Sequence, residues 1–147
     1  MNNFGKLLLI LTLIFTHSCD RNSEIRFHKS HEVSRANAPF SDAVETDGLL
    51  FLTGQIGKDH KTGKLVEGGI TQETIQTIKN IEDVLEQHEL SLDNVVKCTV
   101  ILSDIDDFKA FNSEYVKYFT KKPARTTFAA ANLAANAKIE IEVIASR

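Results

Sequence analysis

The apolar positions between residues 71 and 145 follow two alternating periods. Ile75, Ile78, Ile81 and Leu85 recur at spacings of three and four, which predicts one apolar stripe on a helix. Thr71 has a side chain suited to capping this helix, and Glu73 falls in its first turn, where negative charge is favoured. Phe108, Phe111, Tyr115 and Phe119 form a second stripe, opened by Ser103 or Asp104 and stopped before Pro123. Between them, Val95–Leu102 alternates as a strand, with Val96, Cys98, Val100 and Leu102 on one face. Leu49–Thr53 is a continuous apolar run between Asp47-Gly48 and Gly54, which suits a buried strand. Residues 57–69 are polar and glycine-punctuated, a loop or hairpin turn. Ile25–His28, Arg125–Ala129 and Lys138–Ala145 complete the strands. The order predicts an α+β fold, a mixed sheet with two helices on one face. No repeat, low-complexity stretch or linker divides residues 24–147, so they read as one domain.

Residues 1–18, MNNFGKLLLILTLIFTHS, break this patterning. Leu7 to Phe15 is apolar at every position except Thr12. Nine helical residues span about 14 Å, well short of a hydrocarbon core of about 30 Å. The stretch therefore reads as the apolar region of a secretory signal. Ser18 and Cys19 follow, an arrangement that resembles a bacterial lipoprotein signal, although Thr16 and His17 stand where small aliphatic residues are usual. On that reading residues 1–18 are a signal peptide, Cys19 is lipidated, and residues 19–23 are a short polar tether. The expected location is the bacterial cell envelope or periplasm. The alternatives are plain secretion, or a cytoplasmic protein that keeps an apolar start.

Charge and cysteine content narrow the function. The 147 residues carry 17 Lys+Arg against 20 Asp+Glu, a net charge of -3. Loss of Lys6 with the signal would make it -4. A broadly basic surface for nucleic acid is thereby disfavoured. Two cysteines exclude a disulfide-rich scaffold and a four-cysteine zinc site. After processing only Cys98 remains, and its place inside VVKCTVIL reads as a small buried hydrophobe.

Several apparent motifs fail on spacing. Gly57 to Lys64 has five residues between its glycines, and Leu65 follows the lysine, so it is no phosphate loop. His28 and His31 lie three apart in an extended stretch, where such positions face opposite ways. Asp104, Asp106 and Asp107 lack the glycine and distal glutamate of a calcium loop and read as helix caps. No G-x-S-x-G occurs. The informative segment is the last. In KIEIEVIA, Ile139, Ile141, Val143 and Ala145 share one face, and Glu140, Glu142 and Ile144 share the other. The carboxylates face either solvent or a cleft, where one of them can order a water or move a proton. Arg125 opens the preceding strand, either as a surface cation or as a bidentate clamp for a carboxylate.

PARTTFAAANLAANAKIEIEVIA resembles the C-terminal signature of the RidA/YjgF family of enamine/imine deaminases. LLFLTGQIG resembles the family's strand-plus-glycine segment, and NVVKCTVILSDIDDFKAFNSEYVKYF its central strand and second helix. The resemblance runs from about residue 35 to the end. It implies a chorismate-mutase-like fold, a homotrimer, and sites in the clefts between subunits. It implies hydrolysis of 2-imino acids and enamines to 2-oxo acids and ammonia, without metal or organic cofactor. Arg125 stands where the family binds the substrate carboxylate, and Glu140 where it positions water. Gly54 matches a ligand-contacting glycine flanked by Thr53 and Gln55. Phe40 and Thr127 stand where many members carry Tyr and Cys, which bears on the pocket and its substrate range. The loop Asn132–Ala137 lacks a proline often found there.

The implied partners are a small imino acid or enamine and other copies of the chain, with no nucleic acid and no membrane beyond a lipid anchor. The competing function is a non-catalytic trimer that captures small carboxylates or a partner at the envelope. A ribonuclease role, described for some members, fits poorly with the negative net charge.

Overall fold

The computed structural model describes residues 24–32 and 35–147. The expected signal peptide, tether and Cys19 lie outside the described residues. Strands β1 (Arg26–His28), β2 (Ala43–Thr46), β3 (Leu49–Leu52) and β4 (Gln55–Ile56) lead into a small hairpin, β5 (Lys58–Asp59) and β6 (Lys64–Leu65). Then come α1 (Gly69–Gln87), β7 (Val95–Leu102), α2 (Phe108–Tyr118), β8 (Ala124–Ala129) and β9 (Ile139–Ser146). The main sheet has the order β1-β2-β3-β9-β7-β8, with β4 also paired to β9. Among the described residues only β7 and β8 pair in parallel, and α2 makes the crossover such a pair needs. The last strand therefore lies in the middle of the sheet, between β3 and β7.

The two helical stripes cover one face of this sheet. Ile78, Ile81, Val84 and Leu85 of α1 and Phe111 and Tyr115 of α2 join Leu50, Val100 and Ile141 in one buried cluster. Each large side chain so buried contributes about 1.5–3 kcal/mol. Cys98 is fully buried there, and burial pushes its thiol up, away from the reactive range. This is the predicted α+β architecture.

The boundaries differ in instructive ways. Helix α1 begins at Gly69 after Gly68, which has no side chain to cap with, and Thr71 lies inside the helix. Glu73 therefore lies beyond the first turn, which holds no acidic residue, and is buried, with its carboxylate accepting the Lys138 N–H at 2.7 Å. The cause is close packing: a Cβ on Gly57 would lie 2.6 Å from the Glu73 Cα. Ile75 is only half-buried, and Thr74 and Thr77 take the inner positions instead. Val96 is exposed, because a bulge between Val95 and Lys97 shifts the alternation of β7. Val95 occupies the inner position instead. Asp104 caps a single 3-10 turn before α2, accepting the Asp106 N–H at 3.0 Å.

The opposite face of the sheet is less polar than a solvated surface. Phe27, Val44, Phe51 and Ile144 are successive register partners across β1, β2, β3 and β9. Phe27, Phe51 and Phe128 are 70%, 39% and 45% exposed.

Candidate functional site

The alternation of β9 sets the position of Glu140. Its neighbours Ile139 and Ile141 are buried beneath the helices, so its own side chain emerges on the opposite face. It stands in register with Ile101 of β7 and Ile56 of β4. Gly54, between β3 and β4, makes room for the carboxylate: a Cβ there would lie 2.8 Å from the Glu140 carboxyl carbon. Glu140 is half-buried, and burial followed by repulsion from Glu142 raises its pKa above the usual carboxylate range. A carboxylate so placed is a stronger base than one in water.

Glu140 lies in a cleft of about 460 Å³ whose lining includes Thr53, Gly54 and Gln55. Phe40, Arg35, Lys58 and His60 line it as well. The segment before β2 is anchored across this cleft. Arg35 pairs with buried Asp42 at 2.9 Å and donates to the Gln55 Oε1 at 2.9 Å. Its guanidinium also lies 5.5 Å from the centre of the Phe40 ring. His60 meets Glu32 through Nδ1. Desolvation raises the pKa of Glu32 and lowers that of His60.

Arg125 occupies the other face. It pairs in register with Cys98, which points into the core, so the arginine emerges on the helix side. Its guanidinium lies 4.5, 5.3 and 5.8 Å from the ring centres of Tyr115, Phe111 and Phe108. These rings hold the cation in place through its flat face. Burial pushes the Tyr115 hydroxyl far up, so it stays neutral. No ion pair joins Arg125 to a carboxylate among the described residues. A second cleft, of about 580 Å³, is lined by Arg125, Tyr115, Phe119 and Pro123. Thr127 stands on the same face as Arg125, two residues along β8, and its hydroxyl is buried without a hydrogen-bond partner.

Six candidate residues thus divide into two groups. Thr53, Gly54, Phe40 and Glu140 share one cleft, while Arg125 and Thr127 belong to the opposite face. Within one chain the arginine and the glutamate do not meet. Arg35, Asp42, Lys58 and the Glu32–His60 pair were not apparent from sequence, because they come together only when the segment before β2 folds over the β5–β6 hairpin. Among the described residues no group of three or more His, Cys, Asp or Glu could hold a metal, and no helix is long and apolar enough to cross a membrane.

The comparisons agree with this architecture. Residues 31–147 match the family model described as Endoribonuclease L-PSP. The chain is 41% identical over 111 residues to the 2-iminobutanoate/2-iminopropanoate deaminase of Homo sapiens, covering 75% of this chain and 81% of that protein. A putative endoribonuclease L-PSP from Entamoeba histolytica superposes with a TM-score of 0.78 at 38% identity, covering 84% of this chain and all of that one. RidA from an Antarctic Psychrobacter superposes with a TM-score of 0.76 at 30% identity, covering 83% of this chain and 99% of that one. With the family model spanning most of the chain and the sheet, helices and Arg125 and Glu140 strands in place, the protein belongs to the RidA/YjgF family.

Proposed function

We propose that the protein is a hydrolytic deaminase of 2-imino acids, with each site closed between two copies of a homotrimer. Arg125 of one copy binds the substrate carboxylate through its paired N–H groups. Glu140 of a neighbouring copy holds a water against the C=N carbon and accepts its proton. That proton then passes to the nitrogen, and the carbinolamine collapses to a 2-oxo acid and ammonia. The observation that carries the reading is the complementary pair of half-sites. One holds a carboxylate with a raised pKa beside Gly54, and the other a ring-held guanidinium with no ion-pair partner among the described residues. The apolar row on the Glu140 face supports assembly through that face. Relatives of about 41% identity named as 2-iminobutanoate/2-iminopropanoate deaminases support the chemistry.

The test is release of 2-oxobutanoate and ammonia from freshly generated 2-iminobutanoate. Arg125→Ala and Glu140→Gln are each expected to lose about 100-fold or more in kcat/KM. Co-refolding the two inactive variants is expected to restore part of the activity, because some mixed clefts regain both groups. Absence of turnover in the unaltered protein would refute the reading. Carboxylate binding that needs Arg125, with no imino acid turned over, would favour the binding-module alternative, which the Phe40 and Thr127 side chains support. A ribonuclease role fits poorly with a net charge of -3.

The family match starts at residue 31, so the apolar segment Leu7–Phe15 lies outside it. We infer export and lipidation at Cys19 from that segment and the cysteine that follows. Fractionation of cells tests this: Cys19→Ser is expected to move the protein from the membrane to the soluble fraction. An unchanged soluble distribution in both forms would refute the anchor.

A further inference from the structure

Of the cationic side chains lining the Glu140 cleft, Lys58 is the one without an ion-pair partner among the described residues. Arg35 is neutralised by Asp42 at 2.9 Å, and His60 turns Nδ1 to Glu32. Lys58 lines the same cleft and is half-buried, yet forms no ion pair among the described residues.

The position of Lys58 is built rather than incidental. Its carbonyl accepts a hydrogen bond from the Nδ2 of buried Asn80 at 2.9 Å, and the same amide donates to the Ile56 carbonyl at 3.0 Å. Pairing with Leu65 of β6 fixes the strand from the other side. Ile56, Lys58 and His60 alternate along the chain, and all three line the cleft.

We propose that this cleft is shaped for imino acids bearing a second carboxylate, which Lys58 receives while Glu140 acts at the C=N carbon. The inference rests on the deaminase reading above. There the α-carboxylate belongs to Arg125 of a neighbouring copy, so a substrate with one carboxylate leaves Lys58 unused. An alkyl side chain packed against the Lys58 ammonium strips it of water and returns nothing. A carboxylate at the end of a short chain returns a charge-assisted hydrogen bond. A site that hydrogen-bonds one group rejects the analogue lacking it far more strongly than an apolar pocket discriminates by size.

The experiment compares 2-iminoglutarate, generated from glutamate, with 2-iminobutanoate. It also measures binding of the stable products 2-oxoglutarate and 2-oxobutanoate by calorimetry. The unaltered protein is expected to prefer the dicarboxylic member in kcat/KM and in affinity. In Lys58→Met both preferences are expected to fall by about tenfold or more, the loss of one charge-assisted hydrogen bond. Lys58→Arg, which keeps the charge, retains them, as does Lys64→Met on the exposed neighbouring strand. No preference in the unaltered protein, or a preference untouched by Lys58→Met, overturns the proposal. Turnover of neither imino acid, with 2-oxoglutarate still bound through Lys58, would refute the deaminase reading and uphold the dicarboxylate site.

Discussion

Replacing Gly54 by alanine tests the positioning of Glu140 with a single methyl group. Gly54 is not among the glycines with positive φ, which are Gly48, Gly63, Gly68 and Gly69, so alanine meets no backbone strain there. The added Cβ would lie 2.8 Å from the Glu140 carboxyl carbon. Ordinary contact begins at 3.4 Å, so the carboxyl carbon must withdraw by roughly 0.6 Å, and Oε1, which is closer, by more. The carboxylate ends a flexible side chain, so it can swing away at little cost to the fold. Displacements near 1 Å at a reacting group cost about 100-fold in rate. Gly54→Ala is therefore expected to lower kcat on 2-iminobutanoate by about 10- to 100-fold, with the melting temperature changed by no more than a few degrees. Stopped-flow or coupled detection of 2-oxobutanoate gives the first quantity, and a thermal scan the second. Retention of kcat within threefold would refute the claim that this contact positions the carboxylate.

Other predictions follow from individual contacts. Glu140 works ionised, so kcat/KM should fall as pH drops through its raised pKa; Glu142→Gln removes the like charge and should move this acid limb to lower pH in a pH–rate profile. A raised pKa on buried Glu73 means that its stabilising share is complete below the ordinary carboxylate pKa and is lost as pH rises through the raised one. Glu73→Gln, which still accepts the Lys138 N–H, should therefore raise the urea midpoint at pH 8 relative to pH 4. Phe111 is fully buried, so Phe111→Ala should cost about 3–5 kcal/mol in urea unfolding and also loosen the rings around Arg125. Phe51→Asp on the apolar row should reduce the sedimentation coefficient while leaving far-UV circular dichroism intact.

The elements with strong periodicity were legible along the chain. The stripe through Ile78, Ile81 and Leu85, the aromatic stripe of α2 and the alternation of Ile139, Ile141 and Val143 each follow from neighbours a few residues apart. β2 was not legible, because AVET has only one fully buried residue and takes its strand form from β1 and β3. The same local rule settled which face of β9 carries Glu140, since adjacent strand residues must point opposite ways. Which residues face that glutamate was not settled by any local rule. Ion pairs such as Arg35–Asp42 depend on where the chain returns, and the parallel pairing of β7 with β8 sends Arg125 to the opposite face from Glu140. The bulge at Val96 and the burial of Glu73 likewise depend on what packs against them. Sequence alone thus determined the periods, the two helices and the central strands, because these are set by steric and hydrophobic preferences between near neighbours. Only the tertiary structure decided how Arg125, Glu140 and Lys58 are apportioned between clefts, because strand order and register are long-range choices of the whole sheet.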